Sequence, residues 1–424
     1  MPSFQPVRGM RDLLPEEAAT LNHVIAKARE TAELYGYREV ITPVVEPYEL
    51  LSAKSGEEIR QRMFTFKDLG DRTVALRPEF TSSIARLATT VLKNEPKPLR
   101  TLSVGSVYRY DEPQRGRYRE FWQSDFEVIG SSKPEADAEI ILLTNSLMQA
   151  VGLRSYAFKL GHIGVLRGIL SQENVDDKTQ NVILQRMDKK EYTEAFKLIA
   201  SEKCRTVLQG LLELKSGNVF ETVAKIKEHV EGYSEAVASA ENLLDILKLL
   251  TKSECEIATV EPWFARGLEY YTGMIFEVYI PELDIALGGG GRYDRLIEAF
   301  GGEPTPATGV AHGLDRIALA MQTQNTAQKI KRGNRVAVIP VKDEWKGDAL
   351  KIAHMLREAG IPVEFEVMGR KMAKALEDAD KRQVDYVVIV GEKELQQNAV
   401  VLRNLAKREQ TVVAISELAE KIRS

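Results

Sequence analysis

Two runs rich in aromatic and β-branched residues, Thr101 to Tyr110 and Tyr118 to Ile129, bracket a short stretch carrying Pro113, Gly116, Arg115 and Arg117, with Arg109 and Arg119 just inside the runs. That spacing predicts an antiparallel hairpin with a longer loop. Side chains alternate along a strand, so Phe121, Gln123, Asp125 and Glu127 share one face while Trp122, Phe126 and Val128 share the other. One face reads as core and the other as chemically dressed. Arginine suits phosphate and an aromatic suits a planar ring, so the loop fits a nucleotide. Taken alone, such a pattern more often describes a sheet with one face in water.

The rest of the chain narrows the choice. At 424 residues, 44% of them hydrophobic, it has room for two or three domains and a sizeable core. Net charge is only −4, so no global basic field announces nucleic acid. Residues 331–424 are mildly basic, with 18 Lys and Arg against 15 Asp and Glu. The two cysteines, Cys204 and Cys255, and the scattered histidines lack metal-ligand spacing, so no metal site is expected. The N-terminus has no apolar export segment and no run is long enough to span a bilayer. A cytoplasmic location without membrane contact is the expectation.

Pro15 to Gly36 reads as a helix with proline in its first turn and glycine as its stop. Tyr37 to Val45 reads as extended and interrupted at Pro43, which belongs at a strand end or edge where a second subunit could dock; an ordinary edge strand fits equally. From about 175 to 252 glycine and proline are scarce and apolar residues recur at helical spacing, which predicts an all-helical insert with a solvated charged surface. Strands are expected again from Ile257, through Met274 to Ile280, and from Asp284 to Leu287, ending in Gly288 to Gly291. Four glycines there permit either close approach of a ligand or a bulge. A polar stretch, Gln322 to Gly333, reads as a linker. Beyond it, strands at Arg335 to Pro340, Pro362 to Val367, Tyr386 to Val390 and Val400 to Arg403 alternate with helices near Trp345 to Ala359, Lys371 to Lys381 and Ser416 to Arg423. This predicts an α/β domain with a mostly parallel sheet.

Five motifs together carry a resemblance: the arginine hairpin; Arg-Gly-Leu-Glu-Tyr-Tyr at 266–271; Gly-Gly-Gly-Gly-Arg-Tyr-Asp at 288–294; Gly-Val-Ala-His-Gly-Leu-Asp-Arg at 309–316; and Leu-Arg-Pro-Glu-Phe-Thr at 76–81. With Arg8 to Asp12 and the α/β tail, the chain resembles the histidyl-tRNA synthetases, class II aminoacyl-tRNA synthetases. The resemblance implies an α+β fold: an antiparallel sheet flanked by helices, with a helical insertion, followed by a C-terminal α/β anticodon-binding domain. It implies a catalytic domain over 1–325, the insertion at about 175–252, an anticodon-binding domain over 334–424, and a homodimer built through the first helix and the Pro43 region.

The implied reaction joins histidine and ATP into histidyl-adenylate, then passes histidine to the 3′ end of histidine tRNA, with Mg²⁺ accompanying ATP. Arg109 and Arg266 match the family's catalytic arginines at the α-phosphate, and Arg117 and Arg316 those that hold the outer phosphates. Phe121 matches the aromatic that stacks on adenine. Glu79, Thr81 and Gln123 match residues around the amino group of histidine, and Glu127 and Tyr271 the partners of its imidazole; Arg109, Arg266 and Tyr270 complete the implied histidine site. Gln114 and Arg115 match loop positions facing the tRNA acceptor end, and Arg292 and Tyr293 are expected as walls beside the glycines. Three positions depart from the family pattern: Asp111 for glutamate, Glu112 for arginine, and Glu269 for aspartate. At Glu269 the extra methylene bears on how Arg266 or Tyr271 is braced. A catalytically inactive synthetase-like regulatory subunit of histidine biosynthesis is the competing implication, but such paralogues generally lack the tail and degrade the arginine set. A general nucleic-acid-binding module explains the basic tail and not the histidine pocket.

Overall fold

The computed structural model describes residues 4–423 apart from 54, 215–216, 267, 284 and 328–333. The chain divides into two compact units, residues 1–329 and 330–424. Strands of the first unit are Arg38–Glu39 (β1), Val45–Pro47 (β2), Thr65–Lys67 (β3), Thr73–Leu76 (β4), Leu99–Tyr108 (β5), Glu120–Ile129 (β6), Ala157–His162 (β7), Thr259–Val260 (β8), Met274–Tyr279 (β9), Ala286–Arg292 (β10) and Ala307–Gly313 (β11). Eight of them form one sheet in the order β1-β5-β6-β11-β10-β9-β7-β8, antiparallel except for the outermost pair at each edge. β2, β4 and β3 form a separate small antiparallel sheet.

The arginine hairpin is the longest pairing in that large sheet, with Leu99 opposite Ile129 and Tyr108 opposite Glu120. Alternation along β6 works as expected. Phe126 and Val128 are fully buried in the core, Phe126 meeting Tyr37 edge-on at 5.5 Å and His312 at 5.6 Å. Helices Pro15–Leu34, Pro134–Ala150 and Leu314–Thr323 supply the other half of this core. The first begins on Pro15, with Glu16 and Glu17 in its first turn, where a helix favours negative charge. It stops before Gly36, whose φ of 74° is the left-handed conformation that glycine adopts without strain.

The glycine run departs from expectation. Gly288 to Gly291 do not terminate a strand; they form the body of β10, hydrogen-bonded on both sides. A side chain at Gly290 would come within 2.1 Å of the Gly309 carbonyl, and one at Gly291 within 2.4 Å of the Met274 carbonyl, so the neighbouring strands require these glycines. A register irregularity between Ala286 and Gly288 supplies the bulge as well. Asp284, expected to begin this strand, lies outside the described residues.

Five helices, Asp177–Asp188, Tyr192–Lys197, Glu202–Glu213, Val219–His229 and Ser234–Lys252, fill the expected insert. Three start on residues whose side chains accept a backbone N–H of the first turn: Asp176 from Thr179, Ser201 from Cys204, and Asn218 from Phe220. Cys204 and Cys255 are buried, free thiols. The stretch expected as a linker begins inside the helix Leu314–Thr323, and its residues 328–333 lie outside the described set.

The second unit contains Val336–Pro340 (β12), Val363–Phe365 (β13), Tyr386–Val390 (β14), Ala399–Asn404 (β15) and Glu409–Ala414 (β16), ordered β13-β12-β14-β15-β16. The expected mostly parallel sheet is corrected to a mixed one: β13, β12 and β14 are parallel, while β15 and β16 add an antiparallel hairpin. β16 escapes sequence reading because its first four residues are exposed and its turn holds neither glycine nor proline; Arg408 takes the positive φ of 56° instead. Helices Lys346–Glu358, Met372–Lys381 and Leu418–Arg423 flank this sheet, which has its own core around Val336, Val338, Leu356 and Val388.

Candidate active site

The polar face of β6 and the glycine face of β10 and β11 line a cavity of about 330 Å³. Glu79, Thr81, Arg109, Arg117, Phe121, Gln123, Glu127, Arg266, Tyr270, Tyr271 and Arg316, drawn from across the sequence, all open onto it. Strand period places Phe121, Gln123 and Glu127; on the adjoining β11, Gly309 lies opposite Glu127, where a Cβ would run into its carboxylate, and on β10 Gly289 leaves the space that Arg266 fills.

Four guanidinium groups meet at one end. Arg109 donates through Nε to the Pro78 carbonyl at 2.9 Å and lies over the Phe121 ring, 5.4 Å from its centre. Arg316 donates to the carbonyls of Gly116 (3.1 Å) and Ala286 (2.9 Å), which aims it away from the apolar stripe of Leu314, Ile317 and Met321 on its own helix. Burial, and then the fields of Arg117, Arg109 and Arg266, pull the Arg316 pKa down to about 10. It remains a cation at neutral pH, held among like charges that a polyanion would relieve. Arg266 pairs with Glu277 of β9.

The other end is acidic and aromatic. Tyr293 donates to Glu127, and Tyr270 stacks edge-on against Tyr271 at 4.9 Å and Tyr293 at 5.7 Å. Burial pushes the Glu127 carboxyl up to about 7 against the opposing hydrogen bonds of Tyr293 and Thr81, and raises its neighbour Asp125 as well. Glu79 accepts the Ser82 N–H through one oxygen at 3.1 Å. Its second oxygen and the side-chain carbonyl of Gln123, both facing the cavity, are buried without a hydrogen-bond partner among the described residues. Buried polar atoms in that condition are costly unless a ligand pairs with them.

Not every expected residue reaches the cavity. Arg292 is no wall: it is buried and bonded to Asp137 (3.0 Å) and Asp294 (3.0 Å), clamping β10 to the helix Pro134–Ala150. Gln114 and Arg115 are exposed, in a tight turn where Gln114 and Arg117 exchange backbone hydrogen bonds. Of the three departures, Asp111 pairs with Arg62 (3.0 Å) and lies 3.8 Å from Arg117, Glu112 pairs with Arg8 on the surface, and Glu269 faces Arg60 (3.6 Å). Sequence reading missed Glu58, Arg62, Asp188, Glu277 and Asp315, which also line the cavity. Asp188 corrects the view of the insert as uniformly solvated. It ends the insert's first helix, and burial pushes its carboxyl up to about 6 even beside Arg266. Only Asp315 carried a signal, its place within a motif; its carboxylate accepts the Trp122 N–H at 2.6 Å and pairs with Arg11.

A family model described as Histidyl-tRNA synthetase matches residues 9–317. The chain belongs to the histidyl-tRNA synthetase family. A model described as Anticodon binding domain matches residues 335–424. The histidine–tRNA ligase of Methanocaldococcus jannaschii is 40% identical over 420 residues, 98% of each chain. Among solved structures, the histidyl-tRNA synthetase of Nostoc superimposes with a TM-score of 0.80 at 22% identity, over 100% of this chain and 99% of that one. A Bacillus halodurans protein described as an ATP phosphoribosyltransferase regulatory subunit/histidyl-tRNA synthetase matches with a TM-score of 0.76 at 26% identity, over 91% of this chain and 98% of its own. The synthetase fold of these relatives is thus present here: the antiparallel sheet, its helices and the C-terminal α/β unit. Among the described residues no helix is long and apolar enough to cross a membrane.

Proposed function

We infer that this chain is a histidine–tRNA ligase that activates histidine with ATP and loads it onto histidine tRNA. The observation that carries the reading is one cavity holding four arginines at one end and an acidic, tyrosine-lined pocket at the other. The histidine carboxylate attacks the α-phosphate of ATP, pyrophosphate leaves, and the terminal ribose hydroxyl of the tRNA then attacks the adenylate carbonyl, releasing AMP. Negative charge builds on phosphoryl oxygens in the first step, and fixed cations shielded from water stabilise it most. Arg109 and Arg266 take the α-phosphate and the amino-acid carboxylate. Arg117 and Arg316 take the outer phosphates, and Phe121 stacks on adenine. Glu79, Thr81 and Gln123 receive the ammonium group, and Glu127 and Tyr271 take the two ring nitrogens, with Tyr270 packed beside them. A site whose buried polar groups need both ring nitrogens rejects analogues lacking them by roughly 10⁴-fold.

Gln114 and Arg115, exposed at the loop tip, face the acceptor end of the tRNA, and residues 334–424 read its anticodon while residues 1–325 do the chemistry. Ile41, Val44, Val45 and Phe66, exposed apolar side chains around Pro43, supply a homodimer surface. Mg²⁺ travels with the ATP phosphates; among the described residues no cluster of three His, Cys, Asp or Glu groups is arranged to hold a metal, so no step is assigned to a protein-bound ion. The regulatory-subunit reading fits less well, because Arg109, Arg117, Arg266 and Arg316 share one cavity and the C-terminal unit matches an anticodon-binding family. Histidine-dependent ATP–pyrophosphate exchange tests the assignment. Exchange that Arg266→Ala slows by roughly 10²-fold or more supports it, and none in the parent protein overturns it.

A further inference from the structure

The arginine loop is tied by a chain of charges to a segment outside every motif that the sequence offered. Asp111, at the loop base, lies 3.8 Å from Arg117 through one oxygen and 3.0 Å from Arg62 through the other. Arg62 turns its second nitrogen to Glu58 at 2.6 Å, and Glu58 meets Lys189 of the helical insert at 3.5 Å. The Arg62 carbonyl also accepts the Tyr110 N–H at 2.7 Å, which fixes residue 62 to the loop base through the backbone. Glu58, Arg62, Asp111 and Arg117 all line the cavity.

The local chemistry explains why such a brace is needed. Arginine at 117 is 40% exposed on a loop and would otherwise sample many rotamers. Its neighbour Asp111 has a carboxylate one methylene shorter than the glutamate of the family pattern and reaches Arg117 only at the limit of an ion pair. Arg62 holds that carboxylate in a fixed direction, and Glu58 holds Arg62. Exposed pairs like these add little stability one by one, so their consequence is orientation.

We propose that Arg62 is a positioning residue for the phosphate-binding Arg117, and that the Glu58–Lys189 pair makes the helical insert part of the same brace. This deepens, and rests on, the ligase reading above. Loss of Arg62 frees Asp111 to collapse onto Arg117 and compete with the outer phosphates of ATP. The effect therefore falls on ATP and leaves histidine, bound at the far end of the cavity, nearly untouched.

Pyrophosphate exchange with the full-length protein tests this, with KM for ATP and for histidine measured separately in Arg62→Ala, Arg62→Lys, Glu58→Gln, Lys189→Ala and the Glu58→Gln/Lys189→Ala double variant. In Arg62→Ala the KM for ATP rises roughly three- to tenfold, the size of coupling within one charge network, while that for histidine stays within about twofold. Arg62→Lys recovers part of the loss. Lys189→Ala shifts the ATP KM in the same direction by less, and the double variant is no worse than Glu58→Gln alone. Parent-level ATP KM in Arg62→Ala, or an equal rise for both substrates, overturns the role of Arg62 while the parent's own exchange leaves the ligase reading standing. Additive effects of Glu58→Gln and Lys189→Ala overturn the link to the insert.

Discussion

The guanidinium of Arg266 lies across Gly289 so closely that a Cβ at that position would come within 2.8 Å of its nearer nitrogen. The obstructing atoms are the end of a flexible side chain, so Gly289→Ala leaves the sheet intact and pushes Arg266 aside. Pyrophosphate exchange should drop by about 10²-fold, the usual loss when one preorganised charge is misplaced, with the melting temperature nearly unchanged. Gly290→Ala strikes the Gly309 backbone instead and should unfold the protein. Equal damage to stability from the two substitutions would refute this account of β10.

Arg117, Arg109 and Arg266 all oppose the charge on Arg316. A small polyanion bound among them removes that repulsion, and any ligand specific for the folded state raises its stability, by about 2.7 kcal/mol at a hundred times its Kd. Inorganic pyrophosphate without histidine should therefore raise the melting temperature, and Arg316→Ala should abolish most of the rise. A shift of the same size in that variant would mean that the anion binds elsewhere.

How much of this could be read beforehand depends on how far each contact reaches in sequence. The hairpin, its two faces and the first helix follow from local period and from Pro15 and Gly36, which act within a few residues. The placement of Phe121, Gln123 and Glu127 on one face needed no more than strand alternation. Arg62, Asp188 and Glu277 were invisible because nothing near them in the chain distinguishes them from surface charges; only the fold brings Glu277 to Arg266 and Lys189 to Glu58. Arg292 misled for the converse reason. It sits in a motif, yet strand alternation turns it away from the cavity toward the buried Asp137. In the second unit, β16 was lost because an exposed edge strand carries little apolar pattern.

Glu127 gives the histidine pocket a pH signature. Burial also pushes the Tyr271 hydroxyl up to about 12, so it remains a donor, and the second ring nitrogen must present its N–H to an acceptor. With its pKa raised to about 7, Glu127 is that acceptor above pH 7 and progressively protonated below it. The KM for histidine should rise as pH falls from 8 to 6, and Glu127→Gln should lose the part of that dependence due to the carboxyl. The substrate's own ring titrates identically with both proteins and divides out. Parallel profiles for parent and variant would remove Glu127 from this role.

The two units have separate apolar cores, one around Leu102, Phe126 and Leu314 and another around Val336, Leu356 and Val388. Each core is built from side chains of its own unit, as expected of domains that fold alone. A chain ending at residue 327 should keep histidine-dependent pyrophosphate exchange within a few-fold and lose most charging of tRNA. A folded fragment, verified by its melting transition, that no longer exchanged would show that the second unit serves the chemistry as well.

His312 sets a limit on acid stability. Its ring is wholly buried in β11, hydrogen-bonded to Ser124 at 3.2 Å and Thr144 at 3.0 Å, with no charged group among the described residues acting on it. Burial lowers its pKa to about 3, against about 6.5 in an unfolded chain. The fold therefore favours the neutral ring: its contribution is fully present above pH 6.5 and is lost as pH falls toward 3. The buried acids Glu127 and Asp137 act the other way, stabilising below their ordinary pKa values and losing that contribution as pH rises toward 7 and 6. A difference between two proteins cancels their share. His312→Gln should be less stable than the parent at pH 7, and the gap should narrow by about 2 kcal/mol at pH 5, since each unit below 6.5 is worth about 1.4 kcal/mol. Denaturant unfolding at the two pH values reads this directly. A gap that stays constant would mean that the ring takes up its proton in the folded protein as readily as in the unfolded chain, and that acid instability arises elsewhere.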